Sequence, residues 1–304
     1  MTSSNKMESI SYFKKGVFQP PKEYEEDVKH LRDWLKGQPH LPDISDEHLY
    51  LFLHSCIHNL TLTKATIEHY YTLRTHSPEL FDDRDPMSTD CQNVFNMSEF
   101  IPLTRTTPEG YNVVLYKLSD PDPAKLNFVS SLKAFFIFND IRLAEDGLSP
   151  GYVVIFDMKG VNLGHLTKVN LSAVKKFMTY IQECHPIRLK RVHVINTVAF
   201  MDKVLALVKP FMKSSLMSIL HLHGPVESLE KFLPLEILPE EYGGKSESCS
   251  VIFGRERARM EKEYIAWLQQ ESSLKVDESK RQGKKNTETD SYGVEGSFRR
   301  LAID

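Results

Sequence analysis

The sequence predicts an α/β protein in which an N-terminal helical bundle is followed by a mostly parallel β-sheet flanked by helices. Two observations predict this fold class. Residues 23–85 carry helical periodicity, whereas from about residue 98 onward short, apolar, β-rich runs alternate with helical segments. Strands that alternate with helices favour crossover connections between parallel strands, and near-continuous apolar strands are typical of a sheet covered on both faces.

The N-terminal quarter is expected to be helical after a flexible start. Residues 1–22 are predicted to be a flexible N-terminus, and residues 23–90 a helical module. Gly37 ends the first helix, Ser45 is the expected N-cap of a second, and Thr63 is the expected N-cap of a third. The apolar residues expected to face inward are Val28, Leu31, Trp34 and Leu35 in the first helix and Leu49, Phe52, Leu53, Cys56 and Ile57 in the second.

The sheet is expected within a domain that spans residues 95–245. The β-rich runs cover residues 111–118, 152–158, 191–196 and 216–224. The helical segments between and after them cover residues 126–143, 168–185, 198–212 and 228–233. This alternation gives three crossover units, which is enough for a four-stranded parallel sheet.

Residues 246–304 are expected to form a C-terminal helix and a partly disordered tail. The helix is predicted over residues 255–271, docked through Tyr264, Ile265, Trp267 and Leu268. Residues 270–289 are polar and predict disorder. Residues 292–304 regain apolar character, which favours a segment that folds back onto the body.

The composition excludes several classes of protein. The chain has 304 residues and a formal net charge of −3, so no global basic field draws it to nucleic acid. Its four cysteines are scattered without a CxxC pair, which argues against a disulfide framework or a zinc site and favours a reducing compartment. The N-terminus lacks a signal-like apolar core, and no stretch is long and apolar enough to span a bilayer. We therefore expect a cytoplasmic protein, which associates peripherally with membranes, and we also expect a monomer.

Histidine pairs are the most chemically suggestive feature, but none predicts a reaction. His54 and His58 lie four residues apart around Cys56, a spacing that suits a metal on a helix, yet the Glu of HExxH and a third ligand are missing. His221 and His223 alternate along a strand and share a face, which suits either a site or ordinary hydrogen bonds at a strand end. No complete Walker, GxGxxG or GxSxG pattern occurs. We expect no catalytic residue, no metal and no cofactor, and we do not expect an enzyme.

Residues 198–212 are apolar on nearly every side, which is unusual for a helix of a water-soluble protein. A surface helix normally shows one apolar stripe and one polar face. Here the first stripe consists of Met201, Leu205, Val208 and Met212, and the second consists of Phe200, Val204, Leu207 and Phe211. The second stripe requires a second apolar partner, which is either a ligand or membrane, or else protein that buries the helix on both sides.

Several motifs in order resemble the CRAL-TRIO lipid-binding family, which includes alpha-tocopherol transfer protein and cellular retinaldehyde-binding protein. The matching stretches are residues 49–74 of the helical module, GYVVIFDMKGVNLGH (151–165), HPIRLKRVHVIN (185–196), VKPFM (208–212), ILHLHG (219–224) and LPEEYGG (238–244). The closing GVEGSFRRLAID is similar to the tail of insect members. One departure is FLHSCIH at residues 52–58, where the family often has FLRARKF, so the positive charges of that stretch are absent.

The resemblance implies a CRAL-TRIO lipid-binding fold in which residues 197–212 are a mobile lid over an apolar cavity. Asn196-Thr197 and Lys209-Pro210 are the expected hinges of this lid. The expected ligand-binding residues are Phe135, Phe138, Val153, Ile155, Phe177, Tyr180, Ile181, Val192, Val194, Met201, Leu205, Val208 and Met212. The expected phosphoinositide or membrane contacts are Arg188, Lys190, Lys209, Lys213, Phe200, Leu207 and Phe211.

The sequence thus predicts a non-catalytic carrier of a hydrophobic small molecule such as a tocopherol, retinoid or carotenoid, with transient membrane contact during release. Two alternatives remain open. A phosphoinositide-binding membrane adaptor would use the basic segment at residues 187–191 and the tail, with a vestigial pocket. A phospholipid exchanger would instead accept two acyl chains, with a headgroup at the mouth of its pocket.

Overall fold

The computed structural model of the chain describes residues 10–282. The N-terminal module contains α1 (Glu25–Lys36), α2 (Asp46–Ser55), α3 (Leu60–Thr75), α4 (Pro78–Phe81) and α5 (Thr89–Met97). Asn59, and not Thr63, is the N-cap of α3, and its side chain accepts a hydrogen bond from the backbone N–H of Leu62. Asparagine is a strong N-cap because its short side chain reaches an N–H that the helix leaves unpaired.

The loop between α2 and α3 corrects a second expectation. Ile57 was predicted to face inward, but it is exposed, and both Ile57 and His58 adopt positive φ angles of 51° and 57°. Because α2 ends at Ser55, Ile57 lies beyond the helical face to which its sequence spacing assigned it.

The N-terminal segment from residue 10 onward is docked through Tyr12 and Phe13, whereas a flexible N-terminus was predicted over residues 1–22. Tyr12 and Phe13 are buried in the main core. The backbone N–H of Tyr12 donates to Glu47 at 2.6 Å, and the indole of Trp267 donates to the Tyr12 carbonyl at 3.1 Å. Aromatic burial therefore holds this segment between the helical module and the C-terminal helices. The first nine residues lie outside the described residues.

The sheet has five strands in the order in which they occur along the chain. They are β1 (Ser98–Pro102), β2 (Asn112–Leu118), β3 (Tyr152–Asp157), β4 (Leu189–Ile195) and β5 (Leu220–Leu222). Strands β2 to β5 pair in parallel as predicted, while β1, which the sequence patterns did not reveal, pairs antiparallel with β2. Residues 216–224 were expected to be one strand, but their first part belongs to a helix and only three residues pair with β4.

The sequential strand order places the crossover segments on one face of the sheet, because crossovers between parallel strands are right-handed. These segments are α6 (Phe128–Asp146), α7 (Leu163–Leu166), α8 (Leu171–Thr179), a π-helical turn (Tyr180–Cys184), α9 (Met201–Val208), a 3-10 turn (Lys209–Phe211) and α10 (Ser214–Ser218). The opposite face is covered by 3-10 turns at Val226–Lys231, Leu235–Ile237 and Glu240–Tyr242.

The C-terminal part forms α11 (Cys249–Glu263), α12 (Ile265–Ser273) and a 3-10 turn at Glu278–Lys280. Disorder predicted from residue 270 is therefore wrong through residue 282. Within this stretch, the backbone N–H of Val276 donates to Thr75, and the guanidinium of Arg281 donates to Thr72, each at 2.9 Å. Residues 283–304, which include the segment predicted to fold back, lie outside the described residues.

A buried ionic cluster joins the helical module to the sheet domain. Asp140 on α6 accepts hydrogen bonds from Arg74 on α3 and from Arg84, and Arg84 also donates to Ser272 on α12 at 3.0 Å. Burial opposes ionisation of Asp140, but the two guanidinium groups outweigh it and hold the pKa of Asp140 below its ordinary value. The module and the domain are therefore held together by buried ion pairs, in which Asp140 and the two arginines neutralise each other's charge.

Candidate functional site

The register of the sheet divides the predicted binding residues between its two faces. Val154 pairs with Val192 and Phe156 with Val194, so these four side chains share one face, called here the helix face. Val153 and Ile155 point to the other face, called here the back face, together with Arg191 and His193. The prediction that Val153, Ile155, Val192 and Val194 line one cavity is therefore wrong, since strand alternation alone does not show which faces of neighbouring strands coincide.

Aromatic side chains between the helix face and the crossover helices form an apolar recess. The Tyr116 ring stacks on Phe156 at 5.2 Å and lies 5.0 Å from Phe135 on α6. Phe135 meets Phe177 on α8 edge-on at 5.3 Å. Phe135, Phe156 and Phe177 are only half-buried although helices surround them. Rings that are enclosed but incompletely covered indicate room for a further apolar partner.

Two predicted lining residues belong to the closed core instead. Phe138 is fully buried between Phe100 and Tyr116. Tyr180 is fully buried against the helical module, where its hydroxyl accepts a hydrogen bond from Arg74 at 3.0 Å. The chain passes from α-helix to a π-turn at Tyr180, so the helical spacing that grouped Tyr180 with Phe177 fails at this point.

The lid predicted at residues 197–212 has no buried side chain along its helix α9. This excludes the alternative in which protein buries the helix on both sides. The predicted lid contacts that are half-buried are Phe200, Met201, Leu205, Leu207, Val208, Phe211 and Met212. Of these, Val208, Phe211 and Met212 pack against a small cluster formed by Val174, Met178, Val192 and Leu216. The lid is therefore anchored near its C-terminal end and only loosely packed along α9.

The first hinge of the lid is held by the end of β5. Asn196 adopts a positive φ of 50°, a conformation that asparagine tolerates better than most residues. Its backbone N–H donates to the carbonyl of Gly224 at 3.1 Å, and the N–H of Thr197 donates to the carbonyl of His223 at 3.2 Å. The Asn196 side chain donates to Asp157 at 2.8 Å. The predicted hinge thus lies at a defined backbone junction between β4 and β5.

The far end of the lid is held by Gln182, which the sequence reading did not identify. Its side-chain amide donates to the carbonyl of Phe211 at 2.9 Å, and its side-chain carbonyl accepts from the backbone N–H of Lys213 at 2.7 Å. Lys213 also pairs with Glu183 at 2.6 Å. The π-turn places Gln182 and Glu183 beside the lid, and sequence periodicity carries no signal for that placement.

The predicted basic contacts do not converge on one open site. Arg188 donates from Nε to the carbonyl of His54 at 2.8 Å, and the Lys190 ammonium lies 5.5 Å from the centre of the Tyr111 ring. Lys209 is exposed, and Lys213 lines a crevice of about 20 Å³ together with Gln182, His185 and Ser215. That space suits about one water molecule. In this conformation most of the predicted cations therefore have protein partners.

The histidine pair at residues 54 and 58 forms no metal site. His54 hydrogen-bonds the Tyr24 hydroxyl at 3.0 Å and the Ser149 carbonyl at 2.7 Å, so both of its ring nitrogens are engaged. Burial lowers the pKa of His54 to about 4. His58 lies beyond the end of α2, which removes the one-turn spacing that a shared metal requires. Across residues 10–282, no group of three or more candidate ligands is placed to hold a metal ion.

Comparisons with known proteins agree with this architecture. Residues 20–91 match the family described as Pinta-like, UBA domain, and residues 96–244 match the CRAL/TRIO domain. The chain is 29% identical to the alpha-tocopherol transfer protein-like protein of Homo sapiens over 222 residues, which cover 72% of this chain and 64% of that protein. It is 26% identical to Clavesin-1 of Rattus norvegicus over 137 residues, which cover 44% of this chain and 39% of that protein. The matches therefore span less than two thirds of these relatives.

A solved structure shares the fold. The crystal structure of Sfh5 superposes with a TM-score of 0.54 at 13% sequence identity, and the match covers 78% of this chain and 93% of that chain. At this identity the likeness concerns the fold alone. Within the part of the chain that the structure describes, no helix is both long and apolar enough to cross a membrane.

A helical module followed by a mostly parallel sheet with its crossover helices on one face defines the class of protein, an α/β domain with an N-terminal helical domain. The chain contains a Pinta-like UBA domain at residues 20–91 and a CRAL/TRIO domain at residues 96–244. The resemblance and the fold class predicted from the sequence are thereby confirmed. The name of the human relative describes a transfer protein, which agrees with the expectation that the chain is not an enzyme.

Proposed function

We propose that the chain is a non-catalytic, cytoplasmic carrier of a hydrophobic small molecule of the tocopherol, retinoid or carotenoid type. The observation that carries this proposal is the half-buried aromatic recess on the helix face, next to a lid helix with no buried residue. Both surfaces leave apolar area uncovered within a folded domain, and an apolar ligand between them would cover both at once.

The energetics support carriage without catalysis. A ligand that buries about 400 Å² of apolar surface gains on the order of 10 kcal/mol at roughly 25 cal/mol/Å². Lost translational freedom and side-chain ordering offset several kcal/mol of this gain. The remainder of roughly 6–7 kcal/mol corresponds to a dissociation constant of about 10–50 μM, which permits both loading and release.

Release is proposed to occur at a membrane that contains anionic lipid. Lys209 is exposed within the lid segment, and Lys213 is bound to Glu183 by a partly exposed ion pair. A phosphate-bearing headgroup, such as that of a phosphoinositide, would compete with Glu183 for Lys213 and so weaken the lid's attachment near Gln182. Phe200, Leu207 and Phe211 are the lid residues proposed to contact the bilayer. Arg188 and Lys190 have other partners in the closed conformation. They would contact the headgroup only if the lid region rearranges.

The decisive experiment identifies the cargo. Protein purified from its own tissue is extracted with organic solvent, and the extract is analysed by absorbance and mass spectrometry. A stoichiometric tocopherol, retinoid or carotenoid supports the carrier. A stoichiometric phospholipid would instead indicate the exchanger. Empty protein that takes up none of these lipids, yet binds phosphoinositide-containing vesicles, would indicate the membrane adaptor.

A matched pair of variants tests the location of the site. Leu205 is half-buried on α9, and its neighbour Ala206 is exposed on the same helix. We expect Leu205→Trp to weaken binding of the extracted cargo at least about fivefold, since overpacking costs roughly 1–3 kcal/mol. Ala206→Trp should change the affinity less than about twofold. Equal effects of the two substitutions would contradict a ligand beneath this helix.

A further inference from the structure

Three imidazoles form a cluster on the back face, separate from the apolar recess. His193 on β4 pairs in register with His221 on β5, and their rings stack with centroids 5.2 Å apart. His223 lies 5.0 Å from His193, and the Phe232 ring covers His193 at 4.8 Å and His221 at 4.5 Å. His193 is fully buried, and His223 is almost so.

The hydrogen bonds of this cluster specify which ring nitrogens carry protons. Ser228 donates its hydroxyl proton to the Pro225 carbonyl at 2.7 Å, so it can only accept from His223 Nδ1, which also lies at 2.7 Å. The Nε2 of a neutral His223 is then the acceptor for His193 Nδ1 at 2.9 Å. This leaves His193 Nε2 without a proton, in agreement with its burial without a hydrogen-bond partner.

The buried pair of His193 and His223 therefore has no place for an additional proton. A proton on His193 Nε2 would bury an N–H group without an acceptor. A proton on His223 Nε2 would place two N–H donors, this one and that of His193 Nδ1, against each other. Burial first, and then the charges of the other imidazoles, lower the pKa of His193 to about 3. Burial also lowers the pKa values of His221 and His223.

The surrounding charged groups do not stabilise a proton on the buried imidazoles. Arg191, on the same face of β4, adds positive charge and is itself bound to Glu109 at 2.8 Å and to the Phe232 carbonyl at 3.1 Å. On β3, Asp157 is bound to Asn196 and to the Tyr242 hydroxyl. On the 3-10 turn that carries Ser228, the remaining charged residues are Glu227, Glu230 and Lys231, and all three are exposed.

The cluster is connected directly to the lid's first hinge. The N–H of Thr197 is bound to the His223 carbonyl, the N–H of Asn196 is bound to the Gly224 carbonyl, and the N–H of His223 is bound to Val194. Strand β5 is only three residues long and lies at the edge of the sheet. An event that displaces His223 from the back face therefore removes both hydrogen bonds that hold the hinge.

We propose that His193, His221 and His223 make the lid hinge pH-sensitive, so that protonation in an acidic environment releases β5 and frees the hinge for lid opening. This inference rests on the proposed function only in treating residues 197–212 as a lid. Because the folded pKa values lie below the ordinary value of about 6.5, the closed state is fully favoured above that pH. It loses stability as the pH falls from 6.5 toward the folded values.

The test measures hinge opening on the full chain without any lipid. Amide hydrogen exchange of Asn196 and Thr197 is compared at pH 7.5 and pH 5.5, after correction for the intrinsic exchange rate. Opening that restores one imidazole to a pKa of about 6.5 multiplies the open population about tenfold at pH 5.5, and restoring two multiplies it roughly a hundredfold. We expect protection to fall by at least the smaller factor.

Two variants localise the effect. His193→Phe keeps a ring in the buried position but removes its proton-binding site, and it should reduce the pH dependence of the two hinge amides by about tenfold. His30→Asn, at an exposed position on α1, should leave the pH dependence as in the unaltered protein. Hinge protection that is equally pH-dependent in His193→Phe would overturn the proposal.

A second measurement decides the question if His193→Phe does not fold. Nitrogen NMR of the unaltered protein reports the protonation of each imidazole. We expect no protonation of His193 while the hinge amides remain protected. If His193 or His223 titrates near pH 6.5 while the hinge amides remain protected, the proposal is overturned. Neither experiment involves cargo, so a negative result here leaves the carrier proposal intact, and a chain without cargo leaves the hinge result intact.

Discussion

Replacing Gln182 by leucine should accelerate opening of the lid without unfolding the protein. The Gln182 side chain makes two hydrogen bonds to the lid's end, to the Phe211 carbonyl at 2.9 Å and to the Lys213 N–H at 2.7 Å. Its third bond, to the Met178 carbonyl, stays within its own helical segment and does not restrain the lid. Leucine preserves the approximate size of the side chain and removes all three bonds.

The size of the effect follows from the exposure of the groups concerned. A hydrogen bond within a protein contributes about 0.5–1.5 kcal/mol net. Phe211 and Lys213 are half-buried, so water replaces part of the lost contact, and the lower half of that range applies to each bond. The two bonds together contribute about 1–2 kcal/mol to lid closure. This corresponds to roughly a 5- to 30-fold increase in the ratio of open to closed protein.

The assay is the transfer rate of a fluorescent tocopherol analogue from the loaded protein to phosphatidylcholine vesicles. We expect Gln182→Leu to release the probe roughly 5 to 30 times faster than the unaltered protein, with an unchanged circular dichroism spectrum. Gln38→Leu, in the loop after α1, is the control for the same chemical change away from the lid. Release within twofold of the unaltered rate from folded Gln182→Leu would refute the role assigned to Gln182.

Two further predictions concern the framework that supports the site. Asp140→Asn should destabilise the protein by about 3–5 kcal/mol in urea unfolding, because it leaves two buried guanidinium groups without their counter-charge. In the unaltered protein this contribution is present above about pH 4 and disappears as acid protonates the carboxylate, so the two proteins should converge in stability at low pH. Gly244→Ala should lower the free energy of unfolding by about 3 kcal/mol or more, because its Cβ would lie 1.8 Å from the Leu238 carbonyl oxygen. The control is Gly224→Ala, whose Cβ meets nothing within 4 Å and which should lower the free energy of unfolding by less than about 1 kcal/mol. Equal melting temperatures of the two alanine variants would contradict the close backbone approach at Gly244.

The sequence was sufficient for the elements that depend on local pattern. Apolar runs located β2, β3 and β4 to within a few residues, and the doubly apolar segment at residues 198–212 located helix α9. Motif order identified the family. These features are legible because strand and helix periodicities are properties of one segment at a time.

The details of the site depend on contacts between segments, and there the sequence reading failed. Val153 and Val192 both look like inward residues of apolar strands, yet the register of β3 against β4 sends them to opposite faces. Tyr180 was predicted to line the cavity but is buried against the helical module, and Gln182, for which nothing was predicted, contacts the end of residues 197–212, because a π-turn begins at Tyr180. A residue of extra helical length cannot be inferred from side-chain pattern, since it is selected by the packing partners on either side.

The strand order has a consequence for how the ligand specificity of this fold can evolve. Each crossover helix that encloses the recess joins two adjacent parallel strands, so the recess is built from excursions that begin and end in a stationary sheet. The opposite surface of the sheet carries the backbone junctions and the segments that close the domain. Substitutions in one helix can therefore reshape the space for a ring or a chain while the other surface retains the contacts on which folding depends. Such a division lets one scaffold diversify its cargo by small, separable steps.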